Sequence, residues 1–165
     1  MARLISSYIK NTDLAVFCSH SHDDHFNENL LTITEHAAKR AYVLSDDIAD
    51  MFPGAVPEGS CVVEPEQTYT LDGMTIRTLT SNDLGVAFLI AANGLNIYFA
   101  GDLANWIWPS MPPQAQDMAQ SFFSDCLLTI GHEHIHIAFS NLDTRLENLA
   151  GGLEVVQTLQ PDIFV

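Results

Sequence analysis

Positive charge is scarce in this sequence. Six lysines and arginines face 21 aspartates and glutamates, a formal charge of −15. Nucleic-acid binding draws on Lys and Arg to neutralise phosphates, so no nucleic-acid partner is expected. The same field argues against docking on an anionic membrane, although a bound cation can reverse the field inside a site. Cysteine is sparse too. Cys18, Cys61 and Cys126 are odd in number, far apart and set among apolar residues. That excludes a disulfide frame and leaves reduced core thiols. Long apolar runs are missing: the longest, "VAFLIAA" at 86–92, is far too short to cross a bilayer. The opening "MARLISSYIKNTD" holds no apolar core of signal-peptide length. The expected location is the cytoplasm, and no membrane role is expected. Repeats, low-complexity tracts and linkers are absent as well. At 165 residues, 47% of them apolar, the chain is expected to form one domain over 1–165.

What is present alternates between strand and helix signals. "DLAVFCS" (13–19) is a short apolar run of buried-strand type. "NENLLTITEHAAKR" follows with Leu30, Leu31, Thr34, Ala37 and Ala38 at helical spacing and Asn27 as its predicted N-cap. "AYVLS" (41–45) is a second strand, so a β-loop-α-β unit with parallel strands is expected. Next come "CVVEP", "QTYTL", "MTIRTLT", "GVAFLIAA" and "LNIYFAG", with Asp72-Gly73 and Asn93-Gly94 between the later runs. Those dipeptides are hairpin signals, and an antiparallel meander is predicted. A helix is predicted over about 114–124 and a strand at "HIHIAFS". A second helix is predicted in "TRLENLAGGLEVVQTL", presenting Leu146, Leu149, Leu153 and Val156, with Asp143 as cap and Gly151-Gly152 weakening it. "PDIFV" is the last predicted strand. The fold class is α/β.

The densest chemistry lies in "SHSHDDH", which puts three histidines and two aspartates into six residues right after the first strand. His20 and His22 point to one side if the chain is still extended there. Asp24 and His25 follow where the loop bends. A strand end followed by a loop is where α/β folds place ligand-binding groups. Neutral imidazoles and carboxylates suit zinc and neighbouring transition metals. Four such donors can serve two adjacent ions, His20 and His22 one, Asp24 and His25 the other. Two ions about 3.5–4 Å apart can clamp and activate water for hydrolysis. Isolated surface histidines beside an aspartate need no ligand. Four unpaired polar groups at a buried strand end would cost stability without one. Asp23 is read as a spectator.

These residues resemble the H-x-H-x-D-H signature of the metallo-β-lactamase fold superfamily, at His20, His22, Asp24 and His25. "LNIYFAGDLANW" is similar to that family's later strand ending in Gly-Asp, whose aspartate bridges two metals; here that is Asp102. Read from the sequence alone, Asp102 could equally be a turn or cap residue. Asn105-Trp106 and "HIAFSNLDTRL" also look like stretches of bacterial relatives. The resemblance implies part of an αββα metallo-β-lactamase sandwich, with mixed sheets and flanking helices. It implies a metal-dependent hydrolase with two ions per chain, zinc by default and iron or manganese as alternatives. Asp24 and Asp102 would orient or deprotonate the water, and the substrate would be a small molecule.

The chain departs from the family pattern in three places. No histidine lies between His36 and Asp102, where the family supplies another ligand. "TSNDLGVAF" occupies that place, and Asp83 is the nominated substitute, with a turn residue as its other reading. The family's last ligand histidine is due just past "PDIFV", and its first strands precede a signature that starts here at His20. The chain therefore resembles the middle of the fold, without its first strands and C-terminal segment. Exposed sheet edges are then expected to favour homo-oligomers. A non-catalytic or vestigial metal-binding domain is the alternative. "GHEHIHIAF" places His132, His134 and His136 on one face of a presumed strand. They could complete the metal site, but a polar strand face is the favoured reading. His36 reads as surface. Trp106 and Trp108 read equally as pocket wall or core.

Overall fold

A computed structural model of the protein describes residues 8–165. Its first strand, β1 (Asp13–Cys18), leads through a loop and the short helix α1 (Leu30–Thr34) to β2 (Lys39–Ser45). After α2 (Asp46–Met51) comes β3 (Cys61–Val63). These strands form a three-stranded sheet in the order β1-β2-β3, parallel throughout. The expected parallel β-loop-α-β unit is therefore present. β3 is a correction: it joins β2 here and takes no part in the meander.

The meander proper is β4 (Thr68–Leu71), β5 (Met74–Thr80), β6 (Val86–Ala92) and β7 (Leu95–Phe99). Its hairpins turn at Asp72-Gly73 and Asn93-Gly94, where all four residues have positive φ. That is the backbone of a type I′ turn, which Asp-Gly and Asn-Gly favour. The long helix α3 (Pro113–Ile130) then carries the chain to β8 (Ile137–Phe139). A 3₁₀ turn at Leu149–Gly151 and α4 (Gly152–Leu159) lead to β9 (Ile163–Phe164). β8 and β9 add in parallel, giving a six-stranded mixed sheet in the order β4 to β9.

The sheets face each other across Val43 and Val63 on one side and Ile76, Val86, Phe88 and Ile90 on the other. β6 explains why its run is apolar without interruption. Val86, Phe88 and Ile90 enter this inter-sheet layer, while Ala87 and Leu89 turn outward to meet Phe123 and Leu127 of α3 and Val155 of α4. A strand covered on both faces has no reason to alternate. The outer face of the small sheet, with Tyr42 and Leu44, packs on Leu30 of α1 and Ile48 of α2. Four layers result, helices–sheet–sheet–helices. No helix among the described residues is long and apolar enough to cross a membrane.

Three further expectations need correcting. α1 is one short helix, because Ala37 and Ala38 already lead into β2; its N-cap is Asn29, while the Asn27 side chain accepts the Asn29 N–H at 2.8 Å. His132, His134 and His136 precede β8: His132 lies in the turn after α3, and His134 and His136 in the irregular segment that leads into the strand. The predicted helix after Asp143 is broken: Leu149, Ala150 and Gly151 all have positive φ, and the helix begins only at Gly152. Leu153 and Val156 are exposed there, whereas Val155 and Leu159 are buried.

Candidate metal centre

β1 delivers the signature to the end of the small sheet that abuts the large one. Ser19 follows it, and its carbonyl accepts the Val86 N–H at 2.9 Å, tying the loop to the start of β6. This approach requires glycine at two places. A Cβ on Gly85 (φ +61°) would lie 2.0 Å from the Ser19 oxygen and 2.8 Å from His20 Cβ; one on Gly101 (φ +54°) would lie 2.6 Å from Ser19 Cβ. Beyond Ser19 the loop curls back, with the His25 and Phe26 N–H groups both donating to the His22 carbonyl. That turn brings His25 back over His20, with ring centroids 4.1 Å apart.

The large sheet supplies the opposite wall. Asp102 follows β7, and its two carboxylate oxygens face different histidines. One lies 3.6 Å from His20 Nε2 and the other 3.2 Å from His25 Nε2. His20 Nε2 is also 3.0 Å from His22 Nδ1. Asp83 stands 3.7 Å from His22 Nδ1, in the β5–β6 loop. His20, His22, Asp83 and Asp102 each present a ligand atom, all within 4.8 Å of one another. Asp24 lies beyond His25, 3.7 Å from its Nε2, with its side chain 81% exposed. The structure thus gathers all six sequence-predicted residues, with Asp24 at the solvent edge. Asp23 is exposed and points elsewhere, toward Asn27 and Phe52. His36 is exposed beside Glu35.

His20 is fully buried. Burial first, then the neighbouring His25 ring, hold its pKa below the ordinary imidazole value, against an upward pull from Asp102. It is therefore neutral near pH 7, the state in which imidazole ligates a metal. Three supporting residues escaped the sequence reading. The Ser19 hydroxyl lies between His20 Nδ1 (3.0 Å) and His25 Nδ1 (3.4 Å), orienting both rings with Nε2 toward Asp102. Asp47 at the start of α2 accepts the Ser21 N–H at 2.8 Å and the Ser45 hydroxyl proton, bracing the loop from below. Asn82, the neighbour of Asp83, clasps Ala104 with its side chain: Nδ2 donates to the carbonyl and Oδ1 accepts the N–H. Only a strand-end serine and the "SDD" and "SND" turns hinted at these roles.

A cavity of about 440 Å³ opens onto the cluster, lined by Asp24, His25, Asp102, Trp106, Asn141 and Arg145 among others. Trp106 is a pocket wall and also packs on buried Leu146. Trp108 lies under the Arg145 guanidinium, 5.4 Å from its ring centre. Asn105 points away, with its amide donating to Gln120 of α3 at 2.7 Å. The histidines at 132–136 cannot complete this cluster. His136 pairs with Asn96 at the beginning of β7, and Asp102 lies past the other end of that strand.

The donor set fits a divalent metal ion. Three imidazoles and three carboxylates converge from two sheets, and the fully buried His20 ring has its Nε2 turned to the other donors rather than to a carbonyl. Imidazoles and carboxylates gathered around a buried ring in this way are natural ligands of a divalent cation.

Comparison with known proteins agrees on the architecture. No family model matches the sequence, and no curated protein is significantly similar to it. Solved structures do match. A proposed metal-dependent hydrolase from Parabacteroides distasonis superposes with a TM-score of 0.61 at 14% identity, over 95% of this chain and 66% of its own. The metallo-β-lactamase fold protein YhfI from Bacillus subtilis gives 0.58 at 14%, over 91% and 62%. CmlA, a diiron β-hydroxylase from Streptomyces venezuelae, gives 0.56 at 18%, over 94% and 35%. The chain has the metallo-β-lactamase fold and spans two thirds or less of each of these structures.

Proposed function

We propose that this protein is a metal-dependent hydrolase with a dinuclear centre. His20, His22 and Asp83 would hold one ion and Asp24 and His25 the other, with Asp102 available to both. The observation that carries this reading is the split of Asp102, whose two oxygens each face a different histidine. The description of the Parabacteroides structure as a proposed metal-dependent hydrolase points the same way. Bound divalent ions supply Lewis acidity and a water acidified to near-neutral pKa.

The chain's own groups do the rest. Ser19 orients the rings of His20 and His25 through their Nδ1 atoms, which is the part a ligand's hydrogen-bonded partner plays in a metal site. Asp102 and Asp24 both line the cavity and would orient the attacking water or take its proton. Trp106 and Arg145 bound a space suited to a small ester, amide or phosphoester substrate. Zinc is the proposed metal. The diiron chemistry of CmlA on the same fold makes iron the second reading, because carboxylates serve it as well.

Metal per chain in the natively purified protein, by elemental analysis, is the first test. About two zincs are expected, with a His20→Ala/His22→Ala variant losing metal and at least a hundredfold in turnover of ester, thioester and phosphodiester probes. Undiminished turnover in that variant would sink the mechanism. One ion or none in the parent chain would favour a non-catalytic metal-binding domain.

A further inference from the structure

A second group of ligand atoms converges far from the first. His134 and His136, in the segment between α3 and β8, and Asp162, just before β9, each present a ligand atom within 4.8 Å of the others. His134 Nε2 is 3.0 Å from an Asp162 carboxylate oxygen. The two imidazoles stand edge to face with centroids 4.5 Å apart. Backbone pairing sets this arrangement. The His136 N–H donates to Asn96 O, the Asp162 N–H to Ile135 O and the Ile163 N–H to His136 O. Ile135 is fully buried against the large-sheet core, so the residues on either side of it turn outward together.

We propose that His134, His136 and Asp162 form a second metal site, a structural one for a divalent ion of the zinc class. Two imidazoles and a carboxylate are a ligand set for Zn²⁺, Co²⁺ and Ni²⁺. The exposed side chains of His134 and Asp162 leave the remaining positions to water. A surface His–Asp pair alone would account for the 3.0 Å contact, and such pairs are worth little. The second imidazole, oriented by its own hydrogen bond from the Asn96 N–H, closes on the same point and supplies the third donor. The ion would tie the α3–β8 segment to the start of β9 across the whole of α4. A cross-link spanning such a segment restricts the unfolded chain more than the folded one. His136 sets the strength of the site. Its Nδ1 accepts the Asn96 N–H at 3.0 Å, which in the neutral ring leaves the proton on Nε2. Ligation through either nitrogen exchanges that hydrogen bond for the metal bond, so affinity in the micromolar range is expected rather than tighter.

Zn²⁺ alone is the probe. The His20→Ala/His22→Ala variant, freed of metal and titrated calorimetrically, is expected to retain one site, and Zn²⁺ should raise its Tm. Adding Asp162→Asn or His136→Gln should weaken binding at least tenfold and remove the Tm shift, with near-UV circular dichroism unchanged. Where the loss of His20 and His22 prevents folding, the comparison moves to the otherwise parental chain. A His134→Gln/Asp162→Asn variant should then bind one Zn²⁺ fewer at saturation, with its hydrolytic activity intact. Equal Zn²⁺ binding with and without these residues overturns the proposal. So does a less than tenfold loss on removing the carboxylate or the second imidazole, which would mark adventitious histidine binding.

Discussion

Ser19 and the two glycines that face it decide how closely the sheets meet at the signature. Gly85 is the tighter of the two. A methyl there meets a backbone oxygen, which cannot swing aside, and φ +61° strains any residue with a side chain. Gly85→Ala is therefore expected to cost about 2–4 kcal/mol, from a left-handed backbone and a forced shift of the Ser19–His20 segment. Metal content should fall with it, since His20 moves. Gly73 is the control. It has an equally positive φ but nothing within 4 Å of its missing Cβ, so Gly73→Ala should cost only about 1 kcal/mol and leave metal content unchanged. Urea denaturation with elemental analysis of both variants checks the pair. Equal costs would mean that the close approach at Ser19 carries no weight.

The elements show what the sequence could and could not reveal. β1, β2 and the two hairpins were legible because each rests on local chemistry, an apolar run or a dipeptide that turns the chain. The six ligand candidates were legible for the same reason: five belong to motifs, and Asp83 fell in the one loop where a ligand was due. What failed depends on distant contacts. The apolar spacing of Leu146, Leu149, Leu153 and Val156 looked like one helix face, yet the chain kinks at Leu149–Gly151. Gly151 sits where a Cβ would fall 2.5 Å from a Phe123 ring carbon, so α3 dictates where α4 begins. The shifted start turns Val155 and Leu159 inward and leaves Leu153 exposed. Ser19, Asp47 and Asn82 were invisible because each acts on a partner from another strand or loop. β3 was misplaced because three apolar residues do not say which sheet they join. The rotated helix carries a prediction. Val155→Ala should destabilise by about 2–3 kcal/mol through the buried volume it removes. Leu153→Ala should stay within about 0.5 kcal/mol. The reverse order in chemical denaturation would restore the uninterrupted helix.

The whole molecule is a strongly acidic body that concentrates still more negative charge at one end, where Asp24, Asp47, Asp83 and Asp102 gather. Self-repulsion of this kind weakens a compact state, and a cation at the centre relieves it where it is greatest. Metal removal should therefore act on stability as well as on turnover. A ligand that binds only the folded chain stabilises it by about 4 kcal/mol when free ligand exceeds Kd a thousandfold. For a chain of this size that corresponds to a fall in Tm of roughly 8–16 °C on chelation. Adding sodium chloride to the metal-free protein should recover part of the loss by screening. Acid should lower the stability of the metal-free protein further. His20 takes up a proton less readily in the folded chain than the ordinary value of 6.5 allows. As pH falls below that value the unfolded chain gains a proton there that the folded chain refuses, and stability declines with it. Above it both states are neutral at His20 and the contribution is fully present. Protons also compete with metal for the same imidazoles, so the metal-bound protein should approach the metal-free one in Tm as pH drops through the histidine range. Calorimetric scans at pH 7.5 and 6.0, with and without chelator, would measure this directly. A Tm indifferent to chelation at both pH values would mean that the cluster of imidazoles and carboxylates is held by the fold alone.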